Sequence, residues 1–232
     1  MSDSLTENIA RVNERIVEAC RRSGRSPSEV KLVAVTKMAS IDKIIGALGC
    51  GLHTFGENRV QDFLTKYQEI VEDEDVKWHM IGHLQRNKAK YLAGKVEMIH
   101  SLDRLRLARL LDRLSEDQGY PWQVLVQVNV SGEETKYGLS PDELPEFLDV
   151  VQDLQGIRVC GLMTIAPYVD DPERVRPVFK ELRLLRDKMA QTRPHFELHH
   201  LSMGMTNDYE IAVEEGATLV RVGSAIFGGY YQ

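Results

Sequence analysis

Apolar residues recur along the chain in two alternating rhythms. Leu5, Ile9, Val12, Ile16 and Ala19 fall three and four apart and predict an amphipathic helix over residues 4–23. Ser4 with Glu7 offers a capping box at its start, and Gly24 and Pro27 end it. Lys31-Leu-Val-Ala-Val-Thr36 follows, a Val-rich run too short for a helix, and reads as a buried strand. The same exchange then repeats. Further strands are predicted at 52–55, 77–81, 96–100, 123–130, 157–164, 198–202 and 218–222. Helices near 41–49, 57–71, 85–93, 103–118, 141–153, 172–191 and 207–215 lie between and after them. Strict alternation implies a parallel sheet with helices on its faces. Eight such units behind one extra helix predict an α/β fold, a closed (β/α)₈ TIM barrel. An open doubly wound sheet is the alternative, and no GxGxxG follows any strand to support its nucleotide-binding form. With no linker or composition break, residues 1–232 are expected to form one domain.

Composition narrows the function classes. A net charge of −6, with the basic residues scattered, gives no footprint for nucleic acid or an anionic membrane. Three cysteines, Cys20, Cys50 and Cys160, lie far apart without a CxxC pair, which argues against a disulfide framework or structural zinc. No apolar run approaches the roughly 18 residues that span a bilayer. The polar, acidic start is unlike a signal peptide, so a cytoplasmic protein is expected. His199 and His200 are adjacent and point to opposite strand faces, and His79 and His83 lack a third ligand, so no metal site is expected.

In a barrel of this kind the chemistry gathers at the C-terminal ends of the strands. Strand 1 ends in Thr36-Lys37-Met38, strand 2 in Phe55-Gly-Glu-Asn58, and strand 6 in Gly161-Leu-Met-Thr164. Strand 7 ends in Ser202-Met-Gly-Met-Thr-Asn207 and strand 8 in Arg221-Val-Gly-Ser224. Small residues and hydroxyls at the last two endings suit a phosphate, though helix caps and tight turns favour the same residue types. Lys37 closes a buried strand at the barrel mouth, where partial desolvation would lower its pKa and let its amine condense with an aldehyde. Arg221 shares its strand face with Gly223 and points into the barrel or, alternatively, outward to a helix. Together these residues make pyridoxal 5′-phosphate the economical ligand.

The stretches Leu-Val-Ala-Val-Thr-Lys37, Phe-Gly-Glu-Asn58, Trp78-His-Met-Ile-Gly-His-Leu-Gln-Arg-Asn-Lys88, Gly161-Leu-Met-Thr164, Leu-Ser202-Met-Gly-Met-Thr-Asn-Asp208 and Val-Arg221-Val-Gly-Ser-Ala-Ile-Phe-Gly228 closely resemble the pyridoxal phosphate homeostasis proteins, the YggS/PROSC family. The resemblance runs from the first helix to the last residues. It implies the barrel of the alanine racemase N-terminal domain (fold type III among pyridoxal phosphate proteins), with the cofactor carried as a Schiff base on Lys37. By the same resemblance Arg221 faces the pyridine nitrogen, while Ser202, Gly223 and Ser224 hold the phosphate. Gly204 and Thr206 are placed nearby by position, Asn58 at the ring side, and Met163 or Met203 in the pocket lining. His83 is given no catalytic role.

An arginine at the ring nitrogen stays protonated and keeps the pyridine neutral, which makes it a poor electron sink. Racemisation also needs an acid–base group on each face, and the resemblance implies that racemases take the second from another domain. Here the chain ends soon after strand 8, leaving Tyr137 as an in-chain substitute or an ordinary loop aromatic. The expected function is therefore non-catalytic: a monomer that holds pyridoxal 5′-phosphate reversibly, buffers it, and delivers it through transient contacts with apo-enzymes. The alternatives are a small pyridoxal-phosphate-dependent amino-acid racemase and an interaction protein whose partner meets the 85–95 helix.

Overall fold

The computed structural model describes residues 4–70 and 75–228. Eight parallel strands close into a barrel in chain order: β1 (Lys31–Val35), β2 (Thr54–Glu57), β3 (Lys77–Met80), β4 (Met98–Leu102), β5 (Trp122–Gln127), β6 (Ile157–Met163), β7 (His200–Ser202) and β8 (Leu219–Val222). The helices are α1 (Leu5–Ser23), α2 (Ile41–Gly49), α3 (Val60–Ile70), α4 (Arg86–Ala89), α5 (Leu105–Gln118), α6 (Leu144–Val151), α7 (Arg176–Thr192), α8 (Tyr209–Glu214) and α9 (Ser224–Phe227). The closed barrel and the extra N-terminal helix match the expected architecture. The last residue expected in the helix over 57–71 lies outside the described residues.

Local chemistry sets the elements. The Ser4 hydroxyl accepts from Glu7 N–H at 3.3 Å while Glu7 reaches back to Ser4 N–H at 2.8 Å, so α1 opens on a full capping box. Its buried stripe, Ile9, Val12, Ile16 and Ala19, packs on α8, α9 and α2. Strands β2 and β4 both begin two residues later than the apolar pattern predicts. In β2, Gly56 and Glu57 are buried and continue the ladder to β3, so the glycine does not end the strand. In β4, buried Ser101 and Leu102 extend the run.

Side chains divide into two sets. Outward residues such as Phe55, Trp78, Ile99, Leu201, Val220 and Val222 join the main core between strands and helices. Val33, Met98, Leu125, Cys160, Met163 and Leu219 form a small apolar cluster of their own inside the barrel. Because residues two apart on a strand share a face, Leu219 and Arg221 both point inward between outward Val220 and Val222. That places a buried cation directly above the interior cluster. Among the described residues no helix is long and apolar enough to cross a membrane.

Candidate functional site

A cavity of about 1430 Å³ opens at the C-terminal ends of the strands. Its lining includes Lys37, Asn58, Thr206, Arg221 and Gly223. The endings of strands 1, 2, 7 and 8 therefore converge on one cavity, whereas none of Gly161–Thr164 at the end of strand 6 is in its lining.

Lys37 follows β1 at the mouth, but its side chain is exposed rather than partly desolvated. β1 ends at Val35, and the next residue turns inward instead: Thr36 is wholly buried. Thr36 Oγ1 donates to Glu57 Oε1 at 2.5 Å, and Lys66 Nζ donates to both Glu57 Oε1 and the Thr36 carbonyl at 2.5 Å. Glu57 also accepts from Asn58 N–H at 3.3 Å. An ion pair thus pins the backbone on both sides of the cavity, at Thr36 and at Asn58. Neither Glu57 nor Lys66 was a candidate from sequence. The signal was nonetheless present, since Lys66 falls on the same stripe of α3 as buried Val60, Phe63 and Ile70.

Asn58 is exposed at the cavity wall. It is set there by Gly82, where an added Cβ would sit 2.2 Å from the Asn58 carbonyl oxygen. Only a residue without a side chain lets the ends of β2 and β3 come this close.

Arg221 faces the cavity floor and is 4% exposed. Nη1 donates to Ser202 Oγ at 2.6 Å and Nη2 to the Thr164 carbonyl at 2.9 Å. Both acceptors are neutral. Burial pushes the guanidinium down to about 10, against an opposing pull from the Asp208 carboxylate, so it remains a cation at neutral pH. The outward-facing alternative is excluded by these contacts.

Thr206 and Ser224 bring their hydroxyls to 3.2 Å of each other, where the loop after β7 meets the start of α9. Gly223 caps that turn and lines the cavity. Gly204 sits one layer back. It has φ 89°, an added Cβ would meet the Ala212 Cβ at 2.5 Å, and its carbonyl accepts from Arg221 N–H at 3.0 Å. Its work is to brace the backbone under Arg221.

Three expected positions differ. Ser202 is wholly buried, and its hydroxyl is engaged by Arg221 and by His100 Nδ1 at 2.8 Å, which leaves it behind the arginine and not on an anion. Met163 packs in the apolar cluster inside the barrel, and Met203 in the outer core. A sequence pattern reports which face a residue takes, not its depth along the barrel axis. Conversely, His83 does reach the cavity wall, where its ring stacks on Tyr137 with centroids 3.9 Å apart and planes at 19°. The Tyr137 carbonyl is held by Gln127 Nε2 at 3.1 Å.

The chain is similar to known proteins along its whole length. The family model for the alanine racemase N-terminal domain matches residues 2–231. A pyridoxal phosphate homeostasis protein of Aquifex aeolicus is 49% identical over 222 residues, covering 96% of both chains. Solved structures of PipY from Synechococcus elongatus superpose with TM-scores of 0.87 without PLP and 0.85 with PLP bound. They are 35% and 34% identical, and each match covers 97% of this chain and 100% of PipY. By sequence along its whole length and by the shape of its barrel, the chain belongs to the pyridoxal phosphate homeostasis protein family, within the alanine racemase N-terminal domain class.

Proposed function

We propose that this protein binds pyridoxal 5′-phosphate covalently and reversibly through Lys37, and buffers or delivers the cofactor without catalysing a reaction on it. The observation that carries this reading is the pairing of Lys37 with a buried, cationic Arg221 in one cavity. The donor set suits such a ligand: an accessible amine at the mouth, a cation at the floor, and a hydroxyl pair where the loop after β7 meets the start of α9. The names of the relatives and the PLP-bound state of PipY support it.

When bound, the cofactor supplies an aldehyde and an electron-withdrawing pyridine ring. Lys37 would hold the cofactor through its amine, where the aldehyde would supply reversible condensation chemistry. Arg221 would face the ring nitrogen and, being a donor only, would leave it unprotonated. Thr206, Ser224 and Gly223 hold the phosphate, with Asn58 at the ring side. Ser202 and Gly204 serve the same end indirectly by fixing Arg221. An arginine at that position, rather than a carboxylate, would suit storage better than carbanion chemistry. In the same reading residues 1–232 act as one domain, a cytoplasmic monomer that meets apo-enzymes transiently.

Tyr137, stacked on His83 at the wall, is the observation that favours a small racemase as the second reading. Incubation of the loaded protein with L-alanine or L-serine in D₂O, followed by NMR of the α-hydrogen, separates the two. No exchange beyond that of free cofactor is expected, together with a visible absorbance band that Lys37→Ala abolishes. Rapid exchange dependent on Lys37 would establish the enzyme, and a band surviving in Lys37→Ala would remove the lysine from the site.

A further inference from the structure

Behind Arg221 runs a line of buried polar groups that cofactor binding alone does not require. Ser202 Oγ, which accepts from Arg221 Nη1 at 2.6 Å, lies 2.8 Å from His100 Nδ1. His100 Nε2 lies 2.9 Å from His79 Nδ1, and His79 Nε2 lies 2.8 Å from a Glu97 carboxylate oxygen. Ser202 and His100 are wholly buried and His79 is 1% exposed, whereas the Glu97 side chain is 26% exposed. The line therefore starts at the cavity floor on β8, passes through β7, β4 and β3, and reaches solvent just before β4, at the opposite end of the barrel.

The two ends dictate the direction of every bond between them. A guanidinium can only donate and a carboxylate can only accept. The bond from His79 holds the Glu97 carboxyl down at about 2, so it is ionised and His79 donates to it from Nε2. Burial, together with the charges on Lys31 and Lys77, opposes a second proton on His79, so its Nδ1 accepts from His100 Nε2–H. His100 is held neutral by burial first, then by His79, Arg221 and His200 around it, and so accepts at Nδ1 from the Ser202 hydroxyl. Ser202 in turn accepts from Arg221. Every donor then points toward Glu97, and each proton and each ring lone pair in the line is used.

An added proton breaks this order. With His79 doubly protonated, His100 must donate from Nδ1, Ser202 receives two donors, and the Ser202 proton loses its acceptor. Of the charged groups bearing on the line, Glu97 favours such a proton while Lys31, Lys77, His200 and Arg221 oppose it; Asp208 bears on Arg221 itself.

We propose that His79 and His100 are positioning residues that act through Ser202 to fix the Arg221 guanidinium at the cavity floor, by a hydrogen-bond chain of single polarity anchored on Glu97. The proposal rests on the pyridoxal phosphate reading of the cavity. It adds that the cation facing the cofactor is held from the far end of the barrel.

Side-chain ¹⁵N spectra of the protein without cofactor test the chain itself. Both histidines should be Nε2–H tautomers that do not titrate between about pH 8 and about pH 6. The Arg221 Nη protons should be protected from exchange. An Nδ1–H tautomer at either ring, or titration in that range, overturns the chain. Titration of variants with pyridoxal phosphate tests positioning. His100→Leu should bind about tenfold more weakly, the scale of one charge-assisted hydrogen bond, with loss of Arg221 Nη protection. His100→Gln, whose amide can accept from Ser202 and donate to His79, should restore most of the affinity. Unchanged binding by His100→Leu, or equal losses in both variants, overturns positioning. If the leucine variant does not fold, Glu97→Gln decides: its amide can accept or donate, so His79 should become a mixture of tautomers and cofactor affinity should fall. An unchanged tautomer with unchanged affinity counts against the proposal. Failure of the unaltered protein to bind pyridoxal phosphate would instead overturn the function, and the cofactor-free spectra would still report the chain.

Discussion

Replacing Lys66 by methionine keeps most of the buried stem and removes the charge that faces a wholly buried carboxylate. Glu57, wholly buried, would keep its bonds from Thr36 Oγ1 at 2.5 Å and Asn58 N–H at 3.3 Å, but lose its cation. Breaking a buried pair from one side costs about 3–5 kcal/mol. The two retained donors place this case near the lower end, at about 3 kcal/mol. Adding Glu57→Gln removes the stranded charge and leaves an oxygen to accept from Thr36, but takes away the acceptor of Asn58 N–H, so the double variant should recover part of the loss and end about 1–2 kcal/mol below the parent. Urea unfolding followed by fluorescence of the buried Trp78 and Trp122 measures both. With a slope of about 3 kcal/mol per molar urea, the single substitution should lower the midpoint by about 1 M. Because Lys66 also holds the Thr36 carbonyl at 2.5 Å, one residue before Lys37, the single variant should bind cofactor more weakly as well. A single variant that costs under about 1 kcal/mol, or a double variant no more stable than the single, would refute the view that Glu57 depends on Lys66 for its burial.

Three other outcomes follow from the same geometry. Thr206→Val with Ser224→Ala should weaken pyridoxal phosphate binding by about tenfold or more per lost hydroxyl, while binding of pyridoxal, which lacks the phosphate, changes little; calorimetric titration of both ligands checks this. Arg221→Met should abolish tight cofactor binding yet change unfolding free energy by no more than about 1 kcal/mol, because relief of a buried cation offsets the loss of donors to two neutral acceptors, the Thr164 carbonyl and Ser202 Oγ. Stability should fall as the solution is acidified. Burial keeps His79 and His100 neutral when folded, so the unfolded chain takes up more protons below about pH 6.5. Glu97, lowered to about 2 by its bond to His79, adds stability that is present above about pH 4.5 and lost as pH falls toward 2. Urea midpoints measured through this range should decline steadily, and Glu97→Gln should flatten the lower part of the curve.

The barrel was legible because its strands are Val-rich runs too short for helices, with amphipathic segments between them. The sequence put Arg221 on the strand face opposite Val222 but left inward and outward both open; the packing of Val220 and Val222 in the outer core decides between them. Depth was not legible. Ser202 and Thr206 both follow from the end of β7, and composition cannot say which one lies under the arginine and which one lines the cavity. Nor could the sequence pair His100 with Ser202, since β4 and β7 are not neighbours in the sheet and meet only across the barrel interior. Lys66 was legible in principle, as a lysine on an apolar stripe, but that signal points to a partner without naming Glu57.

A barrel interior is ordinarily filled by branched aliphatic residues in layers, and here the lower part conforms, with Val33, Leu125 and Leu219. Beside that cluster the interior departs from it, with Arg221, Ser202, His100 and His79 where aliphatic side chains would pack better. The departure has a physical cause. A cation at the floor of the cavity, away from water, must be solvated by something. A carboxylate in direct contact would neutralise it and, on the proposed reading, compete with the cofactor's ring nitrogen for its N–H groups. Neutral acceptors avoid that competition, and aligning their dipoles toward a distant carboxylate recovers part of the lost solvation without spending the charge. The same logic separates the two buried cations of the site. Lys66 is neutralised in contact by Glu57, and its task is to hold backbone; Arg221 is left with its charge unspent, and its task is to meet a ligand.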